Sequence, residues 1–329
     1  QHRESLPTKI GATAAILRQT LVRLASGVPG AELVPGFAVG DTSLVSEQLS
    51  DAMLESSLTH LTAVSGSNTG LVIAAMVWCV SRLRAGRRLR SCAAACALIT
   101  FVFVVGPDSS VQRAALMAAV LLIGAFGGHR SAALPALGFA VIALLTFDPW
   151  QSLQPGFALS VAATCGILLC TMPLTNWLRS RARIPRILAL PIAAALAAQL
   201  FCGPLILLLQ QGVPAVGVLA NVIAAPAAPI GTGFGLIATV LGPVSPTLAS
   251  VAVSVASLAA RWVAATAEIC AELPGGRWHW PEGWPGALLL AGCQLSLVLA
   301  WALMSGRIGL PGGGRVEPRS PWHEKPAAS

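Results

Sequence analysis

From about residue 58 onward, long apolar runs alternate with short polar breaks. The runs predict membrane-spanning helices over roughly 61–80, 91–106, 110–127, 132–147, 156–173, 187–209, 213–242, 247–268 and 286–305. Most lie near the ~20 residues needed to cross a hydrocarbon core, and two of the short or interrupted ones are candidates for partial insertion. The pattern predicts an all-α fold: a polytopic transmembrane helix bundle with about eight to nine spans, one broken helix and N-terminal amphipathic helices.

The broken helix falls in 213–242, where Pro226, Pro229, Gly231, Gly233 and Gly235 follow Asn221. A helix cannot run unbroken through these prolines. Such a break either lines a cavity and marks an ion or substrate path, or is a kink packed against its neighbours.

Residues 1–57 are more polar. Ile10, Ala14, Leu17, Leu21 and Leu24 recur at helical spacing with Lys9, Arg18 and Arg23 among them, as in a helix lying along a membrane surface. In a second stretch Val45, Leu49 and Met53 alternate with an acidic ridge of Glu47, Asp51 and Glu55. Asp41, Thr42 and Ser43 offer N-caps for it. The expected organisation is 1–57 interfacial helices, 58–306 transmembrane domain and 307–329 a basic disordered tail carrying Arg307, Arg315, Arg319 and Lys325.

Composition excludes a soluble domain. Apolar residues make up 55% and charged residues 10% of 329, with mean hydropathy +0.74, whereas soluble domains carry roughly 25% charged residues. The net charge of +8 reads as orientation rather than nucleic-acid affinity. Arg82, Arg84, Arg87, Arg88 and Arg90 fill one loop and Arg179, Arg181, Arg183 and Arg186 another, and alternation of spans puts both on the cytoplasmic side. The acids Asp41, Glu47, Asp51, Glu55, Asp108, Asp148, Glu272 and Glu282 then fall on the other side. Tryptophans near span ends form the expected aromatic belt. Ala93/Ala97, Ala115/Ala119, Ala194/Ala198 and Gly231/Gly235 are spaced for close helix packing. The eight cysteines lie in or beside apolar runs and read as small buried hydrophobes rather than metal ligands. Starting at Gln1 with no basic-then-apolar signal segment, the sequence reads as a piece of a longer protein.

No H-E-x-x-H, phosphate-binding loop, G-x-S-x-G or intramembrane carboxylate pair occurs, and no cofactor or metal is expected. A membrane-embedded enzyme would need Ser65 or Ser160 with His60, and their spacing gives that pairing no support. The polar stretch His60–Gly70 at the start of the first span stands out, because polar side chains need partners in an apolar medium. It is either a helix distortion with hydroxyls bonded back to carbonyls or a patch lining an aqueous path. Arg261 can pair with Glu268. Arg113, near a span end with Asp108 as its one evident partner, is the better candidate to meet an anion.

Four stretches resemble the ComEC-type competence domain, in the order that family has them. Gly40-Asp41-Thr42-Ser43 with His60–Gly70 resembles its "GD-S … HL-A-SG" opening, and Ser110–Met117 its "S-x-x-R-A-x-x-M" turn. Pro149–Ala162 resembles its "P-x-x-L … GF-LS-A" segment, and Asn221–Pro226 its "N-x-x-x-x-P" break. The likeness covers about 36–230 and weakens toward 305. It implies a multi-pass channel in the bacterial cytoplasmic membrane that admits single-stranded DNA during natural competence. The DNA-path candidates it implies are His60, Ser65, Gly66, Asn68, Arg113, Gly156, Phe157, Ser160, Asn221 and Pro226. Many members have a second histidine where this chain has Asn68, which leaves a hydrogen-bonding role there but no imidazole chemistry. The expected partners are the lipid bilayer, a flanking OB-fold domain or other competence proteins, and further copies of the chain. The nuclease domain of longer relatives is absent from this sequence, so the chain is expected not to be an enzyme. A secondary transporter of a small anion, built on the same broken span, is the alternative.

Overall fold

A computed structural model describes residues 6–64, 66–106, 109–127, 132–210, 212–274 and 276–304. The helices run in the order α1 (Leu6–Ser26), α2 (Val34–Val39), α3 (Glu47–Glu55), α4 (Gly66–Arg82), α5 (Arg87–Val105), α6 (Ser109–Gly127), α7 (Ala133–Phe147), α8 (Pro155–Arg181), α9 (Arg186–Leu207), α10 (Gly217–Ala224), α11 (Ala228–Leu241), α12 (Pro246–Ala271) and α13 (Gly283–Met304). Short 3₁₀ turns cover Thr59–Leu61 and Pro149–Leu153. The strands β1 (Val213–Pro214) and β2 (Arg277–Trp278) pair antiparallel.

Each predicted apolar run is realised as a helix or a bent helix pair. Five helices are long and apolar enough to cross a membrane, and α10 with α11 forms a further broken span bent by 52°. Shorter apolar helices within α4, α6 and α7 fill the remaining runs. The chain is therefore an all-α, multi-pass membrane protein. The break comes at 225–227, where Pro226 lacks the N–H that would continue α10, and Pro229 occupies the first turn of α11. The start of the predicted 213–242 run departs from helix. Gly212 adopts φ +76° and Val213–Pro214 pairs with Arg277–Trp278 instead.

The largest core draws on both the N-terminal segment and the later helices: Leu21, Val34, Phe37 and Met53 pack with Ala224, Ala238, Val253 and Val263. The apolar stripe of α1 thus turns into the protein, with Ala14, Leu21 and Ala25 all buried. Every residue of α2 is buried. Glycine allows this: a Cβ on Gly231 would lie 2.6 Å from Phe37 Cδ2, and one on Gly235 would lie 2.9 Å from Ala38 Cβ. The small pair expected at Gly231/Gly235 therefore does admit a close helix, although that helix is α2 rather than another span.

Three local expectations change. On α9 the buried positions are Ala193 and Ala197, one residue from the expected Ala194/Ala198, because the α9 face bearing Ala197 meets Gly166 of α8. The N-cap of α3 is Ser46, whose Oγ accepts from Leu49 N at 3.2 Å; Asp41 instead accepts from Ser43 N at 2.9 Å and closes the preceding turn. All eight cysteines are free thiols, and Cys79, Cys92, Cys96 and Cys293 are exposed rather than buried, since those helix faces turn outward. Trp78, Trp150, Trp262 and Trp284 also face outward, as an interfacial belt requires.

A polar junction of α4, α6 and α8 as candidate functional site

The junction begins at α2. Gly40 sits in the left-handed region (φ 74°), with its N–H donating to Gly36 O and the Asp41 N–H to Pro35 O. This is the glycine-terminated helix end that satisfies the last carbonyls. The carbonyl of Phe37, still facing the interior, accepts from Asn68 Nδ2 at 3.1 Å across 31 residues of sequence. Asn68 stands in the first turn of α4 and is buried. An amide serves here because it can donate to a carbonyl of the buried α2.

The segment leading into α4 is tied down in steps. His60 is exposed and its Nδ1 donates to Ser57 O at 3.0 Å. Thr62 Oγ1 donates to Thr59 O at 2.8 Å. Ser110 Oγ, at the start of α6, donates to Val64 O. Thr62 and Thr69 are both buried, so these hydroxyls are packed within the protein. Ser65 lies outside the described residues, as do Asp108 and the tail 307–329.

On α6, Ser110, Arg113, Ala114 and Met117 follow i, i+3, i+4, i+7 spacing and share one face. Arg113 is 3% exposed. Its Nε donates to Ser160 Oγ of α8 at 3.1 Å, Nη2 to the same oxygen at 2.5 Å, and Nη1 to Met117 Sδ at 3.5 Å. A Cβ on Gly66 would sit 3.5 Å from Ala114 Cβ and 3.6 Å from Arg113 Nη2, so the start of α4 lies against the guanidinium. Phe157, one turn before Ser160, is buried. Among the described residues no carboxylate pairs with Arg113. A buried charge is expensive unless paired, and a serine hydroxyl is a neutral partner. Among the described residues the guanidinium of Arg113 is thus held by neutral partners alone.

Three of the four sequence motifs therefore meet. His60–Gly70, Ser110–Met117 and the Phe157–Ser160 turn converge on Arg113, while the fourth does not. Asn221 Nδ2 donates back to Gly217 O at 2.8 Å within α10, and Pro226 is exposed at the bend. Gly156 is exposed at the start of α8. Reading the sequence missed a cross-link next to the junction, Gln151 Nε2 to Gln112 Oε1 at 2.9 Å. The available signal was the placement of two glutamines at the ends of apolar runs. Gln151 Oε1 is buried without a hydrogen-bond partner.

The family description "Competence protein" matches residues 37–305. The chain is similar to ComE operon protein 3 of Bacillus subtilis (strain 168), 31% identical over 137 residues that make up 42% of this chain and 18% of that relative. The chain thus aligns with under a fifth of that relative's length. No solved structure matches the fold.

Proposed function

From the premise that the chain belongs to the Competence protein family, we propose that it forms a membrane channel through which one strand of DNA enters a bacterial cell during natural competence. In this reading it acts in the cytoplasmic membrane, without catalysing a reaction itself. It works beside an OB-fold domain or other competence proteins, which capture the DNA that the acidic outer loops do not attract. The observation that carries the reading is Arg113: a buried cation on the shared face of α6, held by Ser160 and backed by the start of α4. A phosphodiester passing through a low-dielectric protein needs a fixed donor that costs no reorganisation, and a guanidinium presents several. With 3% exposure, Arg113 meets the strand when α4, α6 and α8 part, so the junction acts as a gate as well as a contact. Asn68 and Ser110 keep the α4 side of that gate in register.

The test is uptake of labelled DNA by cells carrying Arg113→Ala, with the level of the protein in the membrane measured in parallel. Uptake is expected to fall at least tenfold at normal protein level, from the loss of a charged hydrogen bond. Normal uptake would remove Arg113 from the path.

A second reading rests on the bent α10–α11 pair. Broken helices frequently hold the substrate site of secondary transporters, and Asn221 lies four residues before the break. A small-anion transporter would give saturable flux of a small solute that Asn221→Ala abolishes and Arg113→Ala spares.

A further inference from the structure

The turn between α4 and α5 gathers positive charge without an answering acid. Arg82, Arg84, Arg87, Arg88 and Arg90 crowd into it, and no Asp or Glu occurs between Glu55 and Asp108. Two of the guanidinium groups are laid on aromatic rings. Arg82 Cζ stands 4.7 Å from the centre of the Trp78 ring, one turn earlier on α4, and Arg88 Cζ stands 5.7 Å from that of Phe126 at the end of α6. Both lie within the ~6 Å over which a ring face attracts a cation. Arg90 is half-buried, and its Nη1 donates to Ser81 Oγ at 3.4 Å, which ties the start of α5 to the end of α4. The turn is thus braced against three helices while Arg82, Arg84, Arg87 and Arg88 stay exposed. Leu83 and Leu89 stand among them, 79% and 60% exposed, and the rings of Trp78 and Phe126 are exposed as well. α5 opens on three arginines in its first turn, behind Gly86, which gives no side-chain cap. A helix N-terminus favours anions, so these cations sit where an anion is wanted.

An occupant of this surface has to be two things at once. It must be an anion, to answer the arginines and the first turn of α5. It must also be apolar, to cover the leucines and rings interleaved with them. A phospholipid with net negative charge is both, a phosphate at one end and acyl chains at the other. A nucleic-acid strand or an acidic protein segment in water would use the charges but leave Leu83 and Leu89 uncovered. The rings also fix the depth, since tryptophan settles where headgroups meet acyl chains. We propose that the α4–α5 turn is a docking site for an anionic phospholipid, whose headgroup phosphate is gripped by Arg82 and Arg88 and whose acyl chains cover Leu83 and Leu89. The second basic loop, with Arg179, Arg181, Arg183 and Arg186, has no guanidinium laid on a ring among the described residues. In this proposal it supplies orientation charge but no seat. α4 begins at Gly66, against Arg113, and ends at Arg82, so a lipid held here anchors the far end of the helix that backs the junction.

The experiment measures, by native mass spectrometry, the phosphatidylglycerol that the full chain retains when released from nanodiscs of phosphatidylcholine with increasing phosphatidylglycerol. The parent should keep phosphatidylglycerol in preference to phosphatidylcholine. Arg82→Gln combined with Arg88→Gln should lower that preference roughly thirtyfold, the effect of two arginines near an anionic surface. Arg181→Gln combined with Arg183→Gln removes the same charge from the other loop and should leave most of the preference in place. Trp78→Ala combined with Phe126→Ala keeps every arginine and should cost about fivefold, because the guanidinium groups lose the rings that hold them. Thermal melting in phosphatidylcholine alone checks that each variant is folded. A parent without the preference overturns the proposal. So does an equal loss in the Arg181 and Arg183 pair, since charge alone would then explain it, or an unchanged preference in the Trp78 and Phe126 pair. If the Arg82 and Arg88 pair keeps phosphatidylglycerol but loses binding of a single-stranded oligonucleotide in phosphatidylcholine nanodiscs, the turn meets nucleic acid and the lipid site is overturned.

Discussion

At the contact between α2 and α11, two glycines let Phe37 and Ala38 approach within van der Waals range, and among the described residues no side-chain hydrogen bond joins the two helices. At the junction of α4, α6 and α8 the elements are held by a few directional bonds: Arg113 of α6 to Ser160 of α8, Ser110 of α6 to Val64 O just before α4, and Asn68 of α4 to Phe37 O at the neighbouring α2. The first contact depends on volume, because its surfaces are complementary only while there is no Cβ between them. The second depends on donors and acceptors, since each one left unmet in an apolar interior costs more than it contributes when paired. Volume cannot easily be traded in small steps, whereas a hydrogen bond can be broken and remade. In the proposed channel the polar junction is therefore the part suited to opening, and the glycine-lined contact the part suited to staying closed.

Substitutions separate the two regions. The largest effect is expected from Gly231→Val, whose Cβ would lie 2.6 Å from a ring that is 1% exposed. Overpacking costs ~1–3 kcal/mol and at times more, so the variant should be depleted from the membrane and melt earlier. Adding Phe37→Ala should restore part of the loss; failure of this pair to compensate would mean that volume does not govern the contact. Next comes Asn68→Ala, which strands Phe37 O at about 1–3 kcal/mol. Asn68→Asp should do no better in thermal unfolding, because an ionised carboxylate only accepts; an aspartate variant as stable as the parent would show that the bond to Phe37 does not matter. The smallest effect is expected at the edge of the bundle. Ser46→Ala removes the cap of α3 for about 1 kcal/mol, and Ser46→Asp should recover it. A drop as large as that of Asn68→Ala would place α3 inside the cooperative core of the junction.

Much of the fold was legible because apolar length is a local property. Runs near the bilayer thickness have to become helices that satisfy their own backbone, and Pro226 had to end α10 wherever the chain went. Arg113 and the His60–Gly70 cluster were legible for the same reason in reverse, as polar groups where an apolar medium offers no partners. Their partners were not legible. Nothing within a few residues of Asn68 points to a carbonyl 31 positions earlier, and nothing around Ser160 announces a guanidinium from α6.

The sequence by itself determined that this protein is a bundle of membrane helices with one broken span, because hydropathy and proline act over a single helix. Only the tertiary structure decided which faces meet. It turned the α1 stripe into the protein, set α9 to bury Ala193 and Ala197 in place of their neighbours, gave the cap of α3 to Ser46, and gathered three separate motifs around Arg113. A rotation of one residue about a helix axis leaves the apolar run unchanged but exchanges every contact. That choice belongs to packing among distant segments, where glycine clearances and unpaired carbonyls select one arrangement.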